Sequence, residues 1–397
     1  MTREIYSSKN KGNKKEFTAF KVLGKWGKLD ISFLCIVMVL LVIGIVMMFS
    51  AGYAIAVSKG YAGTYYVTRQ LIFALIGLTI MFILSYWDYH FFAKKWVAFG
   101  IFGVCLVLLA LVLTPLGKET DTGIKRWIGI GSFQFQPSEI MKFGVIVLFS
   151  YLISNNYDKM KKFKTGVLPY LVILGVVSAL MMLEPHLSGT LLICMIGVVI
   201  IFVGGAKFTH LLALGGIGVA GIVGLVVYKT AVEGFGYFQE RFQGWLDPFA
   251  DPTDTSWQTC QSLIAIGSGG VFGLGLGESR QKYLYLPESQ NDFVFAIVCE
   301  ELGFVGAVTV ILLFALFVFR GMLIASNAKD KFGMLMCVGL TIQVGIQAFL
   351  NIAVASNFIP NTGISLPFFS YGGTSLVMLL AQMGIILNIS RQSNMEK

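Results

Sequence analysis

Residues 31–51 read ISFLCIVMVLLVIGIVMMFSA, an apolar run with no charged side chain. As a helix, a run of this length spans about 30 Å, the thickness of a bilayer's hydrocarbon core. Similar runs recur along the chain. Of its 397 residues 56% are hydrophobic and 13% charged, and the mean hydropathy is +0.77. A soluble domain is roughly 45–50% apolar and about 25% charged. The sequence therefore predicts an all-α polytopic membrane protein.

Ten transmembrane helices fit, near 31–51, 70–87, 96–115, 138–154, 167–183, 189–205, 208–229, 292–320, 332–355 and 368–390. Pro185 and Gly189, in EPHLSGT (184–190), separate the fifth from the sixth. The expected organisation is a basic tail over 1–30, one membrane domain over 31–391 and a short tail over 392–397. The first tail is long before its apolar run and lacks a small-residue cleavage site, so it does not read as an ordinary signal peptide.

Lysine and arginine orient the spans. With both termini cytoplasmic, 20 of the 30 cationic residues and 7 of the 21 acids fall inside. That leaves about +13 inside and −4 outside, so the formal +9 reflects positive-inside bias and not a nucleic-acid footprint. One large extracytoplasmic loop, 230–291 between helices 7 and 8, is too apolar for a disordered linker and is expected to fold back on the outer face. The six cysteines form no CxxC, and His90, His186 and His210 are far apart in sequence. Neither a disulfide framework nor a zinc site is indicated.

The segment YLPESQNDFVFAIVCEELGF (285–304) puts acids where a membrane helix begins. Asp292 at its start has a plain alternative reading, an N-terminal residue that complements the helix dipole. Against that reading, Glu288 lies four residues earlier, and Glu300 and Glu301 follow at about 12 and 14 Å of helix rise. Ionisable groups at such depth cost about 2.5–3.5 kcal/mol each and face polar cavities or partners. On a straight helix Glu300 lies about 80° and Glu301 about 180° from Asp292, so the three cannot form one carboxylate set. The expectation is one acid at a reaction site and two deeper acids paired within the bundle.

A second polar cluster lies in IKRWIGIGSFQFQPSEIMKF (124–143). Arg126 and Trp127 precede the fourth span, Pro137 suits a helix start, and Glu139 and Lys142 share a face at i and i+3. They are either a local ion pair at a helix end or the lining of a wet outward cavity. The glycines of GSGGVFGLGLG (267–277) lack the GK[ST] of a phosphate loop, and turns or close helix approach are the better account. SLPFFSYGGTS (365–375) reads likewise as packing glycines with a hydroxyl-bearing face.

Taken together, KRWIGIGSFQFQPSEIMK, QSLIAIGSGGVFGLGLG, YLPESQNDFVFAIVCEELG and LPFFSYGGTS closely resemble the SEDS family of bacterial cell-wall glycan polymerases, over residues 30–391. GLGLGESRQKYLYLPESQND (273–292) is more similar to the cell-division member than to the elongation member, with a sporulation paralogue open. The resemblance implies that lipid II is polymerised at the outer face of the cytoplasmic membrane, at the division septum. It implies Asp292 as the essential catalytic acid, with Glu139 and Lys142 in the same cavity. It also implies a class B penicillin-binding protein and other division-complex membrane proteins as partners. His186 departs from the family, many members of which carry an acid there, so no role is carried over to it.

On this reading the acceptor's GlcNAc 4-hydroxyl attacks the anomeric carbon of the donor's MurNAc, and undecaprenyl pyrophosphate leaves. Asp292 acts as general base, a contribution of about 10²–10⁴-fold. Arg126, Lys142, Arg241, Arg280 and Lys282 are candidate cations for the pyrophosphate, with a divalent ion, magnesium or manganese, as an option. Trp127, Glu139, Glu288 and Ser370 complete the substrate-binding candidates. The rival functions are a lipid II flippase or transporter, and a division scaffold without catalysis.

Overall fold

The computed structural model describes residues 28–119, 125–130, 133–184, 186–210, 212, 215, 245–249 and 256–393. The helices are α1 (Ile31–Ser58), α2 (Tyr65–Tyr86), α3 (Lys95–Val112), α4 (Pro137–Asn155), α5 (Leu168–Leu183), α6 (Leu187–Val203), α7 (Trp257–Ser268), α8 (Val294–Ser326), α9 (Lys331–Ala355) and α10 (Gly373–Gln392). Eight are long and apolar enough to cross a membrane, α5 being counted with the turn that precedes it, and α6 is a shorter apolar helix. The chain is a multi-pass membrane protein. The expected seventh span, near 208–229, lies almost wholly outside the described residues, as do 230–244 and 250–255 of the long loop after it.

Which helices form the interior follows from their polar content. α4, α9 and α10 have hydropathies of 1.3, 1.7 and 1.6 and are 72%, 72% and 67% buried. α2 and α3, at 2.0 and 2.4, are only 22% buried. This inverts the rule for soluble proteins. Lipid solvates hydrocarbon well, so the interior goes to helices whose side chains need polar partners, here Lys142, Gln343, Gln347, Asn351, Gln382 and Asn388.

One end of the bundle is pinned by caps that double as cross-links. Asp30 accepts from Phe33 N at 2.9 Å to start α1 and pairs with Arg320 Nη2 of α8 at 2.9 Å. Asp330 accepts from Gly333 N at 2.8 Å to start α9, and the Tyr89 hydroxyl also donates to it. The other end carries what an all-α expectation omits, a small antiparallel sheet. Its strands are β1 (Gly117–Glu119), β2 (Lys125–Ile130) and β3 (Phe133–Phe135), with Gly117 opposite Ile128 and Ile128 opposite Phe135.

Two expected helices are interrupted. α8 breaks at Gly303, whose φ is 66°. The break frees the carbonyls of Glu300 and Glu301, which accept from Leu274 N and Gly275 N at 2.9 and 3.1 Å. Beyond it, Phe304 N and Val305 N donate to Gly270 O and Val271 O at 2.9 and 3.1 Å. The glycine-rich segment after α7 is thus a strap that replaces the lost helical bonds, as irregular backbone inside a membrane protein requires. Its glycines serve close backbone approach, since a Cβ at Gly273 would overlap the Glu301 carbonyl. The tenth span was expected from 368, but α10 begins at Gly373, because Phe368 takes a φ of 68° and Gly372, just before the helix, is extended at φ 176°.

Gly303→Ala puts a side chain at positive φ and against the strap backbone. It is expected to cost on the order of 1–3 kcal/mol, read as a lowered melting temperature in detergent. Gly100→Ala, in α3 with open space around it, should be neutral or raise stability by up to about 1 kcal/mol. Equal melting of the two variants would contradict the strap.

Candidate active site

At the sheet end the helices enclose a cavity of about 630 Å³. It gathers residues from distant parts of the chain: Arg126 and Trp127 of β2, Glu139 and Lys142 of α4, Glu288 and Asp292 before α8, and Ser370 before α10.

Asp292 is set by a tight loop and by α9. Asn291 N and Asp292 N both donate to Glu288 O, at 2.9 and 3.1 Å, and Glu288 itself has a φ of 53°. Asn351, fully buried on α9, donates from Nδ2 to Asp292 O at 2.7 Å and to Ile364 O at 2.6 Å. Gly363, at φ 65°, leaves room beside the carboxylate, since a Cβ there would lie 3.2 Å from Asp292 Oδ2. The carboxylate accepts no hydrogen bond from any described residue. Burial pushes its pKa up to about 6, the Glu288 charge adds to this, and Arg126 opposes it.

Lys142 is 3% exposed. Its Nζ donates to Glu139 Oε1 at 2.8 Å and to Gln347 Oε1 at 3.0 Å. Gln347 is oriented by its own donation from Nε2 to Ser365 O and Oγ, at 3.0 and 3.1 Å. An ammonium has three donors, so one remains for a ligand. Glu139 and Lys142 are therefore a local i,i+3 pair and cavity lining at once.

Sequence reasoning missed Glu184. It is 2% exposed and neither carboxylate oxygen has a partner among the described residues. Burial pushes its pKa up to about 7, with Arg126 pulling the other way. The signal for it was an acid directly before the proline that ends a span. His186, which lines the cavity, is pushed down to about 4 by burial, then by the charge of Arg126, and stays neutral near pH 7. Also missed were Gln347 and Asn351, whose signal was amide side chains within an apolar span.

Three expected cations stand elsewhere. Arg241 lies outside the described residues. Arg280 is exposed and away from the cavity, its backbone N donating to Glu300 Oε1 at 3.0 Å. Lys282 requires correction. It is buried, with Nζ 2.9 Å from Glu301 Oε1 and 3.0 Å from Ser50 Oγ, and cannot serve a ligand in the cavity. Glu300 accepts from Ser279 Oγ and from the backbone N of Arg280 and Gln281. The two deep acids thus hold the strap's continuation and do not pair with each other. Ser370 lines the cavity, but its hydroxyl is engaged, donating to Asn291 O and accepting from Leu366 N at 2.7 Å. Among the described residues no group of three His, Cys, Asp or Glu side chains is placed to hold a metal ion.

The bundle and cavity define a class: a polytopic membrane protein with carboxylates and cations gathered in a cavity at one end. The comparisons make it particular. The sequence model of the FtsW/RodA/SpoVE family, described as cell cycle proteins, matches residues 31–395, and the chain belongs to that family. The probable peptidoglycan glycosyltransferase FtsW of Geobacter sp. (strain M18) is 38% identical over 361 residues, 91% of this chain and 96% of the relative. Stage V sporulation protein E of Bacillus subtilis (strain 168) is 40% identical over 370 residues, 92% of this chain and 97% of the relative. A chain in a solved structure of a peptidoglycan synthase complex aligns with a TM-score of 0.75 at 27% identity, covering 94% of this chain and all of that one. The rod shape determining protein RodA of Thermus thermophilus aligns at 0.67 and 26% identity, covering 93% and 98%.

Breaking one side of the Lys142 and Glu139 pair leaves a buried charge, a loss of about 3–5 kcal/mol. Lys142→Met and Glu139→Gln should each lower the melting temperature, and the double variant should lose less than the two summed, with coupling of about 1–3 kcal/mol. Strict additivity would show the two residues to be independent.

Proposed function

We propose that this protein is a peptidoglycan glycosyltransferase that polymerises lipid II, with Asp292 as general base. The observation that carries the reading is the Asp292 carboxylate, without a donor from the described residues, in the wall of a cavity that also holds Lys142 and Arg126. The names of the relatives support the same activity.

The chemistry needs few protein groups. The acceptor's sugar hydroxyl forms the new bond to the donor's anomeric carbon as its proton passes to an Asp292 oxygen. The bond from that carbon to the pyrophosphate oxygen breaks, and the polyprenyl pyrophosphate leaves with the electron pair. One base and no second nucleophile make this direct displacement with inversion. A carboxylate held near 6 suits the task, being about nine-tenths ionised at pH 7 and more basic than an ordinary aspartate. Lys142 and Arg126 stabilise charge on the departing pyrophosphate. A divalent ion, if used, arrives with the pyrophosphate, because the described residues do not form a cage for one.

The positive-inside bias supports a cavity at the outer face of the cytoplasmic membrane, and the names of the division relatives support the septum. A class B penicillin-binding protein is the inferred partner. The structural relative found in a complex that coordinates polymerization with crosslinking supports this.

Labelled lipid II with purified protein tests the reading. Wild type should give polymer ladders and Asp292→Asn none, while vesicle translocation without polymer would favour a flippase. Since the fold holds the Asp292 carboxyl above its ordinary value, ionising it costs stability as pH rises through about 6. Asp292→Asn should therefore melt no lower than wild type at pH 7, which separates lost chemistry from lost folding. Asp292→Glu should also lose about 10²-fold, since one methylene misplaces the base.

Polymerisation should fall as pH drops through about 6, where Asp292 takes up its proton. Glu184 titrates near 7 and His186 near 4, so Glu184→Gln should leave this acid limb in place. A limb that disappears in Glu184→Gln would assign it to the wrong acid.

A further inference from the structure

We propose that Arg69 forms a second anion subsite in the cavity, which takes the pyrophosphate of a lipid-linked sugar on the α2 and α10 side of Asp292. The proposal rests on the polymerase reading and adds a place for one of its two substrates. In that reaction two lipid-linked pyrophosphates meet at one base, one on the attacking molecule and one on the departing molecule. A single cationic pocket cannot hold both. On the α4 and β2 side, Lys142 is matched by Glu139, and Arg126 lies in the field of both Glu184 and Asp292.

Arg69 also lines the cavity, one turn into α2. No carboxylate among the described residues lies within ion-pair distance of it. Its neighbours are aromatic. The guanidinium carbon sits 4.6 Å from the centroid of the Tyr65 ring, and the Tyr371 hydroxyl bonds to the same side chain. Tyr65 in turn stacks on Tyr61 at 4.3 Å, and Tyr66 meets Tyr371 edge-on at 4.9 Å. A guanidinium held against a ring keeps its in-plane N–H groups for a ligand, and that planar fork fits phosphate oxygens.

The position of Arg69 relative to the base is fixed through its neighbour Gln70, which is fully buried. Gln70 Nε2 donates to Ser370 O at 3.2 Å, and Gly372 N donates to Gln70 Oε1 at 3.3 Å. The same short segment reaches the Asp292 loop through Tyr371 N to Gln290 O, at 2.9 Å, and the Ser370 hydroxyl to Asn291 O. Two rungs of hydrogen bonds therefore separate the cation from the base. Below Arg69 the outward face of α2 is hydrocarbon, with Ile72 52%, Leu75 65% and Ile83 56% exposed. A pyrophosphate at Arg69 can leave its polyprenyl chain along that face, within the membrane.

The test uses the full-length protein in detergent, with lipid II turnover and binding of undecaprenyl pyrophosphate as separate readouts and phosphatidylglycerol as the competing anionic lipid. Arg69→Ala should weaken undecaprenyl pyrophosphate binding and raise the KM for lipid II, each by about tenfold, with less effect on kcat. Arg69→Lys, which keeps the charge but loses the fork, should recover part of both and guards against loss of fold in the alanine variant. Asp292→Asn should make no polymer while still binding undecaprenyl pyrophosphate. The proposal is overturned if Arg69→Ala leaves binding and KM within about twofold of wild type, or lowers kcat alone. Equal loss of phosphatidylglycerol binding also overturns it, as that marks a general headgroup contact. Normal polymer from Asp292→Asn would instead sink the polymerase reading, whatever Arg69 does.

Discussion

The amide of Asn351 is the contact on which the site depends. From near the C-terminal end of the apolar helix α9 it donates to the carbonyls of Asp292 and Ile364, which belong to two separate stretches of non-helical chain. Backbone without helical bonds survives at membrane depth only when buried in protein or facing a wet cavity. The cavity requires such backbone, because a helix cannot turn aside to present an acid, a glycine and a hydroxyl at one point. One buried side chain resolves both demands. It satisfies two carbonyls and fixes the distance between the loop that carries Asp292 and the segment that carries Gly363, Ser365 and Ser370.

The same logic explains the polar content of the interior helices. Gln347 and Gln70 each bond to backbone of the 365–372 segment, from opposite sides. One of them also holds Lys142, and the other is the neighbour of Arg69. Chain geometry and charge placement are therefore the same problem in this protein. Lys142 is stationed by an amide that also supports the irregular chain, so it need not reorganise when a substrate's charge develops.

The acids divide by what surrounds them. Asp292, half-buried, and Glu184, buried, lack donors from described residues, and desolvation raises both above ordinary values. Glu300 and Glu301 are buried with donors on every side but one oxygen, Oε2 of Glu301. Paired acids of the second kind fasten chain to chain, here the strap that replaces the helical bonds lost at Gly303. Unpaired acids of the first kind hold free energy in reserve for a proton or a cation.

Much of this was legible in the sequence. Long uncharged runs can hide their backbone polarity only as helices, so membrane spans near the observed places were fixed by composition, and lysine distribution proposed their direction. The proximity of Arg126, Glu139, Lys142 and Asp292 followed from family motifs. Their contact partners did not, because Gln347 and Asn351 are ordinary residues until the fold brings them together. Lys282 shows the limit most plainly. In sequence it is one more outward cation, and only the strap bonded to the chain around Gly303 leads it to Glu301 and away from the cavity. Period and charge are local properties, readable residue by residue. Which of two equivalent cations meets a ligand depends on how separated segments satisfy one another's backbone, and the tertiary structure alone decides that.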